Sequence, residues 1–204
     1  MTAWKEAGFA PIIAPLLRVE PVEIEHPISV DAVPIFTSAQ GVYHSGLRGP
    51  GRAYAVGDKT AEAAKRAGFD DIITGPGQVN GLAEVIEKEH SNLVYLRGER
   101  TAGDLAGQLR QRGHDVQSLC VYRTMTVEAV ASDALACSFV ALYSAFAAEV
   151  FEASVPSDWH GTVLTLSEAV AAPVKKTSIW IAEQPTQNAL IQLAQLALAS
   201  KATR

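Results

Sequence analysis

The sequence predicts an α/β protein made of two similar parallel-sheet domains, joined by a two-stranded extended linker. Three observations predict it. Short apolar runs alternate with helix-patterned segments from Asp31 to about His114, and again from Ala134 onward, which is the signature of a parallel sheet wrapped by helices. Each stretch holds the same two signals. Val33–Ala39 (VPIFTSA) and Phe139–Ala145 (FVALYSA) are strands closing on a hydroxyl. Ala53–Phe69 and Thr162–Ala171 (TVLTLSEAVA) are strands followed by a hydroxyl and an alanine-rich helix start. The gap from Ser38 to Thr60 nearly equals that from Ser144 to Ser167, so the repeat is a domain and not a solenoid period. Finally, extended stretches at 20–30 and 115–125 bracket the first domain. Residues 1–28 with 126–204 are therefore expected as one discontinuous domain, with 31–114 inserted into it.

Met1–Phe9 reads as the tail of a helix closed by Gly8, and Pro11–Val19 as a strand or extended segment broken by Pro15. Glu20–Val30 alternates polar with apolar residues and carries Pro21 and Pro27, as an extended linker does. In the inserted domain, strands are expected near Val33–Phe36, Ala53–Val56, Asp71–Ile73 and Leu93–Leu96. Helices are expected near Gln40–Ser45, Thr60–Ala67, Val79–His90 and Thr101–Arg112, with Gly68 as a C-terminal cap. The charged run Glu84–His90 reads as a solvated helix face. Asp115–Thr126 is a second extended crossing. Beyond it, strands are expected at Cys137–Tyr143, Thr162–Leu166 and Ser178–Ala182, and helices at Ala145–Ala153, Glu168–Pro173 and Thr186–Ser200. Three strands make a small sheet, and Pro11–Val19 is expected to supply another.

Composition narrows the chemistry. A net charge of −5 over 204 residues lacks the basic face that non-specific nucleic-acid binding needs. An anionic ligand must then be met by local dipoles and a few cations. Cys120 and Cys137 have no metal-ligand spacing and read as small core residues in a reducing cytoplasm. The most apolar run, Ala134–Ala148, is too short to span a bilayer.

Gly51–Thr60 superficially suggests a phosphate loop, but Asp58 separates Gly57 from Lys59 and would repel phosphate. No GxGxxG follows a strand, the histidines are scattered, and no nucleophile–histidine pair is evident. What remains are hydroxyls, glycine turns and helix starts, which hold a substrate while its own reactivity proceeds. A strand, the Gly57 turn and Thr60 at a helix start could make an anion site; alternatively Thr60 only caps its helix. Tyr122 stands on the second crossing, where its phenol could donate to a leaving hydroxyl; alternatively it packs at a domain edge. Arg97 and Arg100, after a strand, could meet carboxylates or lie on the surface.

The pieces together resemble the uroporphyrinogen-III synthase family. The matching residues are Phe36-Thr37-Ser38-Ala39, Val56-Gly57-Asp58-Lys59-Thr60-Ala61, Leu96-Arg97-Gly98, Val121-Tyr122-Arg123-Thr124, Tyr143-Ser144-Ala145, Leu166-Ser167 and Ile181-Ala182-Glu183-Gln184-Pro185-Thr186. The resemblance implies a cofactor-free, metal-free, monomeric lyase. It would cyclise hydroxymethylbilane with loss of water and inversion of ring D, through a spiro intermediate. It also implies that Tyr122 assists loss of the hydroxyl, and that Ser38, Thr60, Ser144 and Ser167 hold carboxylate arms. Thr37, Gly57, Lys59 and Arg97 complete the expected binding set. Two departures stand out. Near Ser167 the family more often has a glycine turn and a threonine. The family's first strand also has no counterpart before Thr2–Phe9, so reduced stability and activity are expected. A non-catalytic two-lobed binder of tetrapyrroles or other polyanions is the other reading; a receiver-like domain ranks last, for want of an acidic cluster at strand ends.

Overall fold

A computed structural model describes residues 2–86, 92–127 and 132–202. The chain opens with α1 (Thr2–Glu6) and β1 (Leu17–Pro21). It continues with β2 (Val33–Phe36), α2 (Ala39–His44), β3 (Arg52–Ala55), α3 (Asp58–Arg66), β4 (Asp71–Thr74), α4 (Val79–Val85), β5 (Asn92–Gly98), α5 (Leu105–Gln111) and β6 (Asp115–Thr126). It closes with α6 (Ser132–Leu135), β7 (Phe139–Leu142), α7 (Ala145–Ser154), β8 (Thr162–Thr165), α8 (Glu168–Ala171), β9 (Ser178–Ile181) and α9 (Gln187–Ala202). Two compact units result: a central unit, Val19–Met125, and a terminal unit, Met1–Arg18 with Thr126–Arg204. Among the described residues no helix is long and apolar enough to cross a membrane.

The central unit carries a sheet in the order β1-β6-β5-β2-β3-β4. The pairs β2–β3, β3–β4, β2–β5 and β5–β6 are parallel. Side-chain alternation along the strands divides the core in two. Ile35, Tyr54, Leu93, Tyr95 and Val116 pack with Leu82, Leu105 and Leu109 of α4 and α5. Phe36, Ala53, Val94, Leu96 and Val121 pack with Val42, Ala63 and Ala64 of α2 and α3. The chain builds outward through β2, β3 and β4, then returns to lay β5 on the other side of β2. That reversal makes the C-terminal ends of β2 and β5 the topological switch point of the sheet, the place where open α/β sheets bind ligands.

Residues 20–30 and 115–125, expected as linkers, belong to the core and sheet of the central unit. Ile24 and Ile28 pack on the α2/α3 core, and 115–126 is a full strand of the sheet. Val22 N–H donates to the Val121 carbonyl (3.0 Å) and Val127 N–H to that of Leu16 (2.9 Å), so β1 runs opposite to β6.

The terminal unit holds a parallel sheet in the order β7-β8-β9. Leu142, Val163 and Ile179 face Ala148, Phe151 and Val170 of α7 and α8, while Ala141, Leu164 and Trp180 face Leu190 and Ala194 of α9. The expectation that Pro11–Val19 adds a strand here is not met. The strand is Leu17–Pro21, it lies beside β6, and residues 9–15 are irregular. Pro11 and Pro15 have no N–H to offer a ladder. The helix expected from Thr101 begins at Leu105, because Gly103 takes φ +131° and the Asp104 carboxylate caps the helix, accepting from Gly107 N–H at 2.9 Å. The helix expected to reach His90 ends at Val85, and residues 87–90 of its charged run lie outside the described residues.

Candidate active site

The β2–α2 turn lies at this switch point. Ser38 is the N-cap of α2, in extended conformation, and its hydroxyl accepts from Gly41 N–H at 3.1 Å. Gly41 lets α2 approach closely: a Cβ there would stand 2.6 Å from the Leu96 carbonyl oxygen. The Ser38 hydroxyl also lies 2.8 Å from the Tyr122 hydroxyl. On the other side, Thr37 Oγ1 lies 3.1 Å from the Tyr95 hydroxyl.

Tyr122 reaches Ser38 because of an irregularity in the sheet. Arg97 stands opposite Cys120, but Gly98 stands opposite Tyr122, so Val121 is an extra residue on β6. Leu119 and Val121 pack on the α2/α3 side, and strict alternation would send Tyr122 to the opposite face. The bulge turns it back. Tyr122 joins the α2/α3 cluster, with its ring 6.0 Å from that of His44 on α2. Gly98 leaves the space the ring occupies, for a Cβ there would lie 2.6 Å from Tyr122 Cζ.

Arg97 is half-buried and braced. Its Nε donates to Ser118 Oγ (3.0 Å) and its Nη1 to the Gly98 carbonyl (2.9 Å), which leaves Nη2 without a partner among the described residues. Burial pushes the Tyr95 phenol above its ordinary value of 10.0, against the opposing pulls of the Thr37 hydrogen bond and the Arg97 charge. Tyr95 therefore stays neutral at physiological pH.

At the end of β3, Val56, Gly57, Asp58, Lys59, Thr60 and Gly77 line an open hollow of about 330 Å³. Here the expected geometry needs correction. The helix starts at Asp58, with Gly57 as its N-cap, so Thr60 is a third helical residue and not the cap. It is buried, at 5% exposure, with Lys59 exposed beside it. Among the described residues the Asp58 and Lys59 N–H groups have no intrahelical acceptor, as at any helix start.

The terminal unit repeats half of this arrangement. Ser144 caps α7 as Ser38 caps α2, accepting from Ala147 N–H at 3.2 Å. Ser167 is the N-cap of α8 but makes no side-chain cap bond. Its structural counterpart is thus Gly57, and the counterpart of Thr60 is Val170, whose side chain is buried. The equal spacing in sequence paired a cap with a residue one turn inside a helix. Among the described residues no group of histidine, cysteine and carboxylate side chains could hold a metal ion.

The sequence pointed to Thr37, Ser38, Arg97 and Tyr122, and the fold brings these to one edge of one sheet. Tyr95, Ser118 and Gly98 were not singled out as site residues. The single aromatic in the aliphatic strand NLVYL was the available signal for Tyr95; nothing local marks Ser118.

A family model described as uroporphyrinogen-III synthase HemD matches residues 2–192. The chain belongs to the uroporphyrinogen-III synthase family. The solved structures it resembles include a uroporphyrinogen-III synthetase from Helicobacter pylori, with TM-score 0.70, 20% identity, and 90% of this chain and 91% of that one covered. A mutant uroporphyrinogen III synthase from the extremely thermophilic bacterium Thermus thermophilus follows at TM-score 0.59 and 18% identity, covering 99% and 95%. At such identities the likeness is one of fold. No curated protein matches the chain by sequence. Within the uroporphyrinogen-III synthase family, a mixed α/β architecture with parallel sheets is what this chain displays.

Proposed function

We propose that the chain is a cyclising lyase that converts hydroxymethylbilane to uroporphyrinogen III, with loss of water and inversion of ring D. Membership of the family supports the activity, and the observation that carries the site is the 2.8 Å contact between Tyr122 and Ser38 at the switch point of the sheet. Either hydroxyl of this pair can donate; with the Ser38 proton given to the Tyr122 oxygen, the phenol keeps its own proton for another acceptor. The phenol O–H is then aimed outward as a donor. It would assist departure of the terminal hydroxyl: the C–O bond breaks, water leaves, and the bilane becomes an azafulvene cation. The remaining work is positioning, so that the far ring attacks at its substituted carbon and passes through the spiro intermediate.

In this reading Thr37, Gly57, Lys59, Thr60 and Arg97 are the candidates for holding acetate and propionate arms in the central unit, while the Ser38 hydroxyl serves Tyr122; Ser144 and Ser167 are the corresponding candidates of the terminal unit. The free edge of the Arg97 guanidinium and the open hollow beside Lys59 support it. The antiparallel β1 and β6 would connect the two units. The enzyme is taken as a monomer, as its family resemblance implies, and as cytoplasmic, as its cysteine usage implies. The non-catalytic binder is not favoured, since the family is one of enzymes.

Product analysis tests the proposal. Hydroxymethylbilane closes unaided to the type I isomer, so predominantly type III product is expected from the chain. Type I product alone would overturn the reading. Tyr122→Phe should lower kcat by about a hundredfold or more, in keeping with a lost general acid.

A further inference from the structure

We infer that Tyr95 is a positioning residue for this reaction, holding the Thr37–Ser38 turn so that Ser38 stays aligned on Tyr122. The inference rests on the lyase reading above. Thr37 and Ser38 are consecutive, and each is bonded by a tyrosine hydroxyl: Thr37 by Tyr95 at 3.1 Å and Ser38 by Tyr122 at 2.8 Å. The two tyrosines belong to opposite sides of the sheet. Tyr95 is 3% exposed in the α4/α5 core, in register with Ile35 two residues before Thr37. Tyr122 packs on the α2/α3 side. The turn is thus pinned from both faces.

Geometry explains why both pins matter. Ser38 must keep an extended backbone while its hydroxyl meets Gly41 N–H and Tyr122 together. A rotation of the Thr37–Ser38 peptide would sacrifice one of these bonds. Thr37, anchored through its own side chain to a rigid central strand, prevents that rotation. The Tyr95 hydroxyl is costly to bury, and Thr37 is its side-chain partner. A hydrophobic core alone would be served as well by phenylalanine.

The test is a kinetic cycle of Tyr95→Phe, Ser38→Ala and the double variant, with melting temperatures measured alongside. Wild type is assayed first for type III product, so failure of the lyase reading shows before any variant is made. Tyr95→Phe keeps the ring and the fold, and should lower kcat about fivefold with KM nearly unchanged, the loss of one aligned hydrogen bond. The double variant should be scarcely slower than Ser38→Ala, because Tyr95 acts through Ser38. Thr37→Val should reproduce the Tyr95→Phe loss in kcat. Wild-type kcat in Tyr95→Phe, or a double variant whose losses multiply, would overturn the inference and leave the lyase reading intact.

Discussion

Adding one methyl group at Gly98 tests the candidate site without touching a polar atom. The Cβ of Gly98→Ala would lie 2.6 Å from Tyr122 Cζ, 2.7 Å from Cε2 and 2.9 Å from the hydroxyl oxygen. Carbon atoms in contact prefer about 3.5–4.0 Å, so the ring must move by about 1 Å. The Gly98 backbone is not in the left-handed region, so alanine meets no conformational barrier of its own. A displacement of that size breaks the 2.8 Å bond to Ser38, which then satisfies only Gly41 N–H. Overpacking of this kind costs about 1–3 kcal/mol of stability. Losing the alignment of Tyr122 should cost about tenfold in kcat, of order 1.4 kcal/mol. The assay is turnover of hydroxymethylbilane to the type III isomer, with a thermal melt of the same sample. Wild-type kcat in a protein whose melting temperature has fallen would refute the reasoning: the ring would have moved without catalytic consequence.

Three further outcomes follow from single contacts. Thr165 is fully buried at the end of β8, and among the described residues its hydroxyl has no partner; Thr165→Val should raise the melting temperature, by about 1 kcal/mol in stability, and a lowered value would count against it. Removing the Asp104 cap of α5 by Asp104→Ala should cost about 1 kcal/mol in urea unfolding, and an unchanged midpoint would show the cap idle. Because the folded pKa of Tyr95 is raised, its contribution to stability is complete below the ordinary value of 10.0 and is lost as pH climbs through the folded value. Stability should therefore fall above about pH 10 in wild type and fall less steeply in Tyr95→Phe, as unfolding at stepped alkaline pH would reveal.

Much of the architecture was legible in the residues themselves. Short apolar runs such as Val33–Phe36 are strands because they are buried on both faces, and α3 is a helix because good helix formers end at Gly68, with φ +100°. Ser38 and Ser144 could be read as turn residues from the strand-then-hydroxyl pattern, since a cap depends on only three following residues. Spacing misled where it stood in for geometry. Thr60 and Ser167 were matched by their distance from a preceding serine, yet one lies inside a helix and the other caps one.

The rest needed strands far apart in sequence to be paired. Pro11–Val19 could be recognised as extended, but not as the neighbour of β6, because a strand's partner is settled by topology. The direction of Tyr122 depends on one extra residue opposite the Arg97–Gly98 step, and a one-residue shift in register exchanges the two faces of a strand. The sequence by itself determined which runs are buried, where strands and helices alternate and that Ser38 and Ser144 stand at strand-to-helix turns, because those are local properties of the chain. Only the tertiary structure decided that Tyr95 and Tyr122 hold Thr37 and Ser38 from opposite sides, because a contact across 58 or 84 residues exists only once the sheet has registered its strands.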